Sequence, residues 1–439
     1  MKETSLEELE KAILSGVERY HAAKFSGKKF KLGEQTINAA NKVFDAEELK
    51  NGVRAVLDCW WTEGRFALEF EKEMASFLGV KFVALTNSGS SSNLVAFASL
   101  TSPLLKERAI RPGDEVIAVA AGFPTTVNPI VQMGCIPVFV DIDLETLNAD
   151  PKLIEKAITP KTKAIMVAHT LGNPFDLDSI MSIAKKHKLW VVEDSCDGLG
   201  AEWDGRKVGS SADISTFSFY PAHQMTMGEG GAVVTNNPLL YRIACSVRDW
   251  GRDCWCKTGK DDTCGMRFSQ QHGKLPFGFD HKYVYSHLGY NLKLTDMQAA
   301  IGLAQLKKLP GFVKARRENK AKLLKALGKH SKYFLFQTAL PKANPSWFGF
   351  AITLKEGCPF SRVDLVKFLD SKKINTRPVF GGNLTRQPYF ENIKYRVAGE
   401  LTNTDYVMSN TFWISCDPAL TDEKMEYIVR AFDEFIFNC

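Results

Sequence analysis

The sequence lacks any apolar run of the length that crosses a membrane. A spanning helix needs about 20 consecutive apolar residues, and no stretch of the 439 residues approaches that length. The first residues, MKETSLEELEKAILSG, have no signal-peptide core. Ser5 and Glu8 instead have the spacing of a capping box that opens an amphipathic helix. The sequence therefore predicts a cytoplasmic protein without a membrane partner.

The chain also lacks a large excess of charge of either sign. The formal net charge is +6, with 24% charged and 45% hydrophobic residues, which is an ordinary soluble composition. Lysines cluster in residues 24–32 and 306–327, which we interpret as a flexible segment and as solvated helix faces. No helix-turn-helix, zinc-finger or RNA-binding pattern accompanies them, so we predict no nucleic-acid partner. A mild positive bias would suit a small phosphorylated substrate.

Six short apolar segments alternate with helical or turn segments between about residues 115 and 236. They are EVIAVAA, IPVFVDID, KAIMVAH, LWVVEDS, ISTFSFY and GAVVTN. Nearly continuous apolarity is typical of strands covered on both faces, and the alternation favours a doubly wound α/β sheet over a barrel. Ligands of such sheets bind beyond the carboxyl ends of the strands, which directs attention to Asp194 and Ser218.

The pattern changes after about residue 310. A basic helix over residues 312–327 precedes the strand FGFAITL, a helix from Ser361 and the segment INTRPVF, and the amphipathic helix DEKMEYIVRAFDEF ends the sequence. We predict three regions. They are an N-terminal helical segment (residues 1–58), a large α/β domain (residues 59–310) and a small α+β domain (residues 311–439).

Three segments offer groups that a pyridoxal cofactor needs from a protein. TNSGSSSN (residues 86–93) precedes a helix-like segment, and small residues at a helix start present free N–H groups to phosphate. Asp194 ends the strand LWVVED, where a carboxylate could hold the pyridine nitrogen protonated; helix capping is the alternative. TFSFYPAHQMTMGEGG (residues 216–231) has the build of a cofactor-anchoring turn, yet His223 stands where an anchoring lysine would be expected.

In this order, the segments resemble the sugar-nucleotide aminotransferase family, the fold-type-I pyridoxal enzymes that modify keto-sugars. The resemblance rests on TEGRFALEFEKEMASFLGVK, NSGSSSNL, VFVDID, VVEDS, TFSFYPAHQMTMGEGG and GYNLKLTDMQAAIGLAQL, and it is strongest over residues 60–306. It implies a large cofactor-binding domain with a mostly parallel sheet between helices, and a smaller C-terminal α+β domain. It also implies a homodimer, because Asn291 would reach the cofactor phosphate of a neighbouring subunit.

The resemblance assigns a role to each residue that matches the family pattern. Gly89, Ser90 and Ser218 would hold the cofactor phosphate. Phe123, in AAGFPTTVN, would stack on the cofactor ring, and Asp194 would pair with the pyridine nitrogen.

Two positions depart from the aminotransferase pattern. His223 replaces the lysine, so the cofactor has no covalent tether and the ordinary lysine-mediated proton shift is missing. Asp197 replaces the histidine or glutamine that usually follows the ring-nitrogen aspartate by three residues. Because a histidine can act as a general base near neutral pH, proton removal from the cofactor C4′ remains available. The alternative is an inactive homologue.

Ten cysteines in a predicted cytoplasmic chain do not suggest a disulfide framework, so buried thiols and metal ligands are the open alternatives. Cys196, Cys254, Cys256 and Cys264 form the pattern C-x57-C-x-C-x7-C. Four thiolates suit a [2Fe–2S] cluster or, alternatively, zinc. We interpret the other six cysteines as structural: Cys59, Cys135, Cys245, Cys358, Cys416 and Cys439.

His223 together with the cysteine spacing resembles one branch of the family, the CDP-4-dehydro-6-deoxyglucose 3-dehydrases. This branch uses pyridoxamine 5′-phosphate (PMP) and a [2Fe–2S] cluster to make 3,6-dideoxyhexoses, which are sugars of lipopolysaccharide O-antigens. Asp197, Tyr220 and Phe348 match the branch at active-site positions. The substrate implied is a CDP-linked 4-keto-6-deoxyhexose.

Arg377 and Arg386 are candidate contacts for the substrate diphosphate, with surface roles as the alternative. GEGGA (residues 228–232) lacks the spacing of a dinucleotide-binding fingerprint, so we expect no nicotinamide site in this chain. The resemblance implies a separate NAD(P)H-dependent iron–sulfur flavoprotein reductase. Two rival interpretations remain. One is a GDP-sugar 3-dehydratase or aminotransferase relative without a working cluster, and the other is a non-catalytic cofactor-binding protein of the same fold.

Overall fold

The computed structural model describes residues 5–27, 29–256 and 258–438; the predicted structural Cys439 lies outside this part. Its α-helices are α1 (Leu6–Phe25), α2 (Ala46–Leu57), α3 (Arg65–Leu78), α4 (Gly89–Ser99), α5 (Pro124–Gln132), α6 (Pro151–Ala157), α7 (Leu177–His187), α8 (Pro238–Arg248), α9 (Asp296–Leu327), α10 (Arg362–Ser371), α11 (Thr402–Asn410) and α12 (Asp422–Phe437).

The β-strands are short, and most of them lie in the first two thirds of the chain. They are β1 (Phe82–Thr86), β2 (Glu115–Val119), β3 (Ile136–Val140), β4 (Thr162–Ala168), β5 (Trp190–Asp194), β6 (Glu202–Trp203), β7 (Arg206–Lys207), β8 (Ile214–Ser218), β9 (Gly231–Thr235), β10 (Phe334–Phe336), β11 (Ala343–Asn344), β12 (Phe350–Leu354), β13 (Arg377–Pro378), β14 (Arg396–Val397) and β15 (Thr411–Ile414).

The largest sheet has eight strands in the order β1-β9-β8-β5-β4-β2-β3-β14. Neighbouring strands from β14 to β8 are parallel, and β9 is antiparallel to both β8 and β1. The six apolar segments of the sequence are β2, β3, β4, β5, β8 and β9, so their prediction as strands is confirmed.

Residues of β2 alternate between two hydrophobic cores, one on each face of the sheet. Ile117 shares one core with Ile180 of α7, and Val116 shares the other with Phe97 of α4. Helices therefore cover both faces, which explains why these strands are apolar along their whole length. The predicted α/β fold with a mostly parallel sheet is confirmed.

The C-terminal part builds a second sheet, with the antiparallel order β10-β12-β15-β13. Its core includes Leu365 of α10 and Ile428 of α12, as expected for a small α+β unit. The same part also contributes β14, which pairs in parallel with β3 at the edge of the large sheet. The C-terminal part therefore contributes one strand to the large sheet and also forms a sheet of its own.

The basic helix predicted over residues 312–327 is the C-terminal half of a longer helix, α9. α9 is 32 residues long, with Pro310 inside it. Leu309 belongs to a core of the large domain, whereas Leu323 belongs to the C-terminal core. A proline inside a helix costs about 3 kcal/mol or more, and packing of α9 against both cores offsets that cost. The boundary predicted between residues 310 and 311 falls within α9, and the division into three domains stays a prediction.

The basic face of α9 is not wholly solvated, contrary to the prediction for residues 306–327. Arg316 is 1% exposed and Lys320 is 4% exposed. Lys320 Nζ lies 4.4 Å from the ring centroid of Trp347. The reason is that α9 runs between the two cores, so cations on its inner side are enclosed.

The N-terminal helix begins as predicted. The Ser5 hydroxyl accepts a hydrogen bond from the Glu8 backbone N–H, and the Glu8 carboxylate accepts one from the Ser5 backbone N–H, which completes the capping box. In the part of the chain that the structure describes, no helix combines the length and the apolarity needed to cross a bilayer.

Candidate active site

The floor of the candidate site is the end of β5. Asp194 is 4% exposed, and its Oδ2 accepts hydrogen bonds from Asn93 Nδ2 at 2.8 Å and Thr126 Oγ1 at 2.7 Å. Thr216, its partner on β8, donates to Asn93 Oδ1 at 2.6 Å. These bonds hold the carboxylate in one orientation, as pairing with a protonated pyridine nitrogen requires. The sequence did not single out Asn93, Thr126 or Thr216, because short polar side chains near strand ends are common.

The N-terminus of α4 lies against the end of β8. A Cβ built on Gly89 would lie 2.4 Å from Ser218 Cβ and 2.8 Å from Ser218 Oγ, so a larger residue would force these segments apart. The Ser88 side chain caps the helix by accepting from Ser91 N–H. Ser90 is exposed at the helix start, and Ser218 is 6% exposed. Free backbone N–H groups beside two hydroxyls fit a phosphate group.

Phe123 is the N-cap residue of α5, the helix that also carries Thr126. Its ring is 53% exposed and meets Phe380 edge-to-face, with ring centroids 6.2 Å apart. One face of the ring is therefore accessible to a flat cofactor. This arrangement fits the predicted ring stack.

Asn291 lies in the loop before α9 and is exposed. The carbonyl of the next residue, Leu292, accepts a hydrogen bond from Asn87 N–H at 2.8 Å, two residues before α4 begins. The loop therefore passes beside the phosphate cradle of its own chain. Delivery of Asn291 to a neighbouring subunit stays a prediction.

His223 pairs with Asp197. The distance from His223 Nδ1 to Asp197 Oδ1 is 3.4 Å, and the two side chains are 14% and 13% exposed. His223 Nδ1 is buried and makes no other polar contact in the described part of the chain. Burial raises the pKa of Asp197 above its ordinary value, although the adjacent His223 acts in the opposite direction. A carboxylate on one ring nitrogen leaves the other, Nε2, to act as a base.

A buried arginine holds the segment that carries His223. Arg316 Nη2 donates to the His223 carbonyl at 3.4 Å, and Arg316 Nη1 donates to the carbonyls of Trp347 and Phe348 at 3.0 Å and 3.1 Å. The sequence gives no sign of this role for Arg316, because an arginine in a lysine-rich helix suggests a solvated face. Its burial depends on packing that no local pattern records.

The candidate substrate residues differ in accessibility. Tyr220 is 50% exposed, whereas Phe348 is 5% exposed and packs on His223, with ring centroids 5.2 Å apart. Phe348 is therefore placed to support the base. Arg377 donates to the Thr376 carbonyl, and Arg386 pairs with Asp405. No contact in the described residues joins either arginine to His223. Their role in binding the substrate diphosphate stays a prediction.

Three of the four predicted metal ligands come together. Cys254, Cys256 and Cys264 line one small cavity, and Cys256 Sγ lies 3.0 Å from Thr263 Oγ1. Burial acts to raise the pKa of Cys256, but hydrogen bonds with Thr263 outweigh it and hold the pKa below its ordinary value. A thiol that ionises readily is a suitable metal ligand.

Cys196 follows the last residue of β5, Asp194, by two residues. Its backbone N–H donates to Asp194 Oδ1 at 3.1 Å. Burial, followed by the Asp194 carboxylate, raises the pKa of the Cys196 thiol well above its ordinary value. Cys196 is not among the residues that line the small cavity of the other three thiols. Its role as a fourth ligand stays a prediction.

The chain belongs to the DegT/DnrJ/EryC1/StrS aminotransferase family, whose model matches residues 44–433. It is 56% identical over 97% of its length to the lipopolysaccharide biosynthesis protein RfbH of Salmonella typhimurium, 98% of which is covered. It is 50% identical over 97% of its length to a dTDP-4-dehydro-2,6-dideoxy-D-glucose 3-dehydratase of Saccharopolyspora spinosa, 91% of which is covered. A GDP-4-keto-6-deoxy-D-mannose 3-dehydratase of Yersinia pseudotuberculosis is 36% identical over 84% of this chain and 91% of its own.

Solved structures agree with this family membership. The E. coli GDP-4-keto-6-deoxy-D-mannose-3-dehydratase with bound hydrated PLP has a TM-score of 0.80 and 29% identity, over 91% of this chain and 100% of its own. A mutant GDP-4-keto-6-deoxymannose-3-dehydratase with bound GDP-perosamine has a TM-score of 0.81 and 30% identity, over 90% of this chain and 99% of its own. The fold is therefore that of the pyridoxal-dependent aminotransferases, and sugar 3-dehydratases are among the relatives.

Proposed function

We propose that this protein is a PMP-dependent dehydrase that removes the C3 hydroxyl of a nucleotide-linked 4-keto-6-deoxyhexose. The observation that carries the proposal is the His223–Asp197 pair, which stands where the aminotransferase pattern has a lysine. Relatives named as sugar 3-dehydratases support the reaction class. The cysteine pattern supports CDP-4-keto-6-deoxyglucose as the substrate through the resemblance stated above.

Different residues of the pocket would bind different parts of PMP. The α4 N-terminus at Gly89 and Ser90, with the Ser218 hydroxyl, would hold the phosphate. Phe123 would cover one face of the ring, and Asp194 would hold the pyridine nitrogen. When bound, PMP supplies an amine that condenses with the sugar ketone and a ring that accepts electrons.

His223 moves the proton in this proposal. Because Nδ1 faces Asp197, Nε2 would be free to take a proton from the cofactor C4′. The imidazolium would then return that proton to the departing C3 hydroxyl, which would leave as water. A lysine at residue 223 would compete for the cofactor carbonyl and favour amino transfer. The histidine thereby favours dehydration.

The second part of the proposal is a [2Fe–2S] cluster bound by Cys254, Cys256, Cys264 and Cys196. The shared cavity of the first three thiols supports it, and Cys196 enters from the resemblance alone. When bound, the cluster supplies one-electron transfer. A separate NAD(P)H-dependent reductase would deliver the electrons, and a homodimer would bring Asn291 to the neighbouring cofactor phosphate. The sugar product would enter lipopolysaccharide biosynthesis, as the name of one relative suggests.

The test uses the PMP-loaded protein without reductase. We expect exchange of the C4′ proton and release of the C3 oxygen with CDP-4-keto-6-deoxyglucose, and slower reaction with the GDP- and dTDP-linked analogues. An amino sugar as the main product would contradict the proposal. Absorption and electron paramagnetic resonance spectra after anaerobic purification test the cluster separately. A GDP preference together with no iron signal would favour the second candidate, a GDP-sugar 3-dehydratase without a cluster, to which the fold likeness also points.

A further inference from the structure

One carboxylate and two imidazoles lie together beside the cysteine loop, outside the groups used above. One ligand atom from each of Asp253, His272 and His281 lies within 4.8 Å of those of the other two. His281 is 2% exposed and begins the 3-10 turn His281–Tyr283. Two histidines and one carboxylate are a donor set that zinc and other divalent transition metals accept.

Two nitrogen atoms in this group have no polar partner. His272 Nε2 and His281 Nδ1 are both buried and make no hydrogen bond in the described part of the chain. A buried polar atom that is left unpaired destabilises the fold. The two rings are stacked, with centroids 4.7 Å apart and planes 15° apart. A metal ion bound at an unpartnered nitrogen would satisfy that atom.

The carboxylate is oriented as a metal ligand usually is. Asp253 Oδ1 accepts from Ser286 Oγ at 2.7 Å, and Arg242 Nη2 lies 3.6 Å from the same oxygen. The other oxygen, Oδ2, lies 2.7 Å from His281 Nε2. Outer partners therefore hold one oxygen and leave the second one facing the histidines.

We propose that Asp253, His272 and His281 bind one divalent transition-metal ion of the zinc type, separate from the thiol centre. Asp253 directly precedes Cys254, and both histidines follow Cys264. One ion would therefore close the cysteine loop, defined as residues 253–281. The described residues between 253 and 280 contain no helix or strand, so few backbone bonds hold the loop. The proposal does not depend on the dehydrase reaction.

The test is a titration of the full-length, PMP-loaded protein, with its thiol centre already occupied by metal, using Zn²⁺ by calorimetry and Co²⁺ by difference absorption. We expect one further ion per chain, with weak cobalt bands and no new thiolate charge-transfer band. His272→Ala should weaken binding by at least about tenfold. His330→Ala is the matched control, because His330 Nε2 also lies 2.7 Å from a carboxylate oxygen, that of Asp433, but has no third ligand beside it; its titration should equal that of the wild type.

His272 is the residue to change, because it is only half-buried, whereas loss of the buried His281 risks unfolding. Equal Zn²⁺ binding by the wild type and His272→Ala would overturn the site. A thiolate charge-transfer band on the bound cobalt would overturn it too, since the cysteines would then hold the ion. Zn²⁺ should also slow trypsin cleavage within the loop in the wild type but not in His272→Ala. The same cleavage rate with and without Zn²⁺ would overturn loop closure.

Discussion

The pocket floor and the cysteine loop place their reactive groups in opposite ways. At the floor, Asp194 lies at a strand end, and the register of β5 with β8 sets Thr216 beside it. In the loop, no helix or strand of the described residues precedes the turn at His281, and large side chains such as Phe277, 73% exposed, face outward. The floor is therefore organised by the sheet, whereas the loop is held by side-chain contacts such as the Arg267–Asp280 ion pair.

The largest loss of catalysis is expected when the proposed base beside the floor, His223, is replaced. His223→Asn should keep PMP binding, because the groups for the phosphate, ring and nitrogen are unchanged. It should lower C4′ proton exchange and C3 dehydration by about 100-fold or more, the scale of a positioned general base. Proton exchange is measured by loss of label from C4′-deuterated PMP. Near-normal exchange in His223→Asn would assign the proton transfer to another residue.

Asp194→Asn should have the next largest effect. The amide keeps the size of the carboxylate but loses its charge, so the pyridine nitrogen is no longer held protonated. We expect dehydration to fall by at least about tenfold, with a smaller loss of PMP affinity measured by fluorescence titration. Asn93→Ala is a useful companion, since it removes one hydrogen bond to the same oxygen. Unchanged dehydration in Asp194→Asn would contradict the placement of the ring.

Alkylation of the metal-free protein compares the two regions directly. The pKa of Cys256 is held below its ordinary value and that of Cys196 well above it. As pH rises from 6 to 9, Cys256 should therefore ionise first and react with iodoacetamide, while Cys196 stays protonated. The rates, read by peptide mass spectrometry, should differ by more than about tenfold. The buried Cys135, with its pKa raised by burial to about 12, serves as the unreactive control.

Faster alkylation of Cys196 than of Cys256 would contradict the expected order in which the two thiols ionise.

The smallest effect is expected for Cys256→Ser on C4′ proton exchange, because the cysteine loop should take no part in that step. Cys256→Ser removes one thiolate from the loop and should bleach the iron absorption. C4′ proton exchange should stay within about twofold of the wild type, since general-base catalysis needs only His223 and the pocket. Net 3-deoxygenation with reductase and NADH should fail in the same sample. Loss of exchange as well would indicate a structural metal site in the loop, and full retention of both activities would contradict the cluster.

Much of the candidate site could be predicted from the sequence because its residues follow strands or begin helices. Asp194 and Ser218 lie at the ends of β5 and β8, and carboxyl ends of parallel strands meet at one edge. Asn93 and Thr126, which hold Asp194, were not singled out. Their importance depends on distances across the sheet, and a linear pattern does not carry those distances.

By itself, the sequence determined the six strands of the large sheet, the start of α1 and the histidine in place of lysine. A strand that is apolar along its whole length is buried on both faces. The histidine in place of lysine is visible in the sequence itself, whatever the fold. Only the tertiary structure decided that α9 continues through Pro310, that Arg316 is buried beneath His223, and that three thiols share a cavity without Cys196. These features depend on packing between segments far apart in the chain, where contacts outweigh local preference.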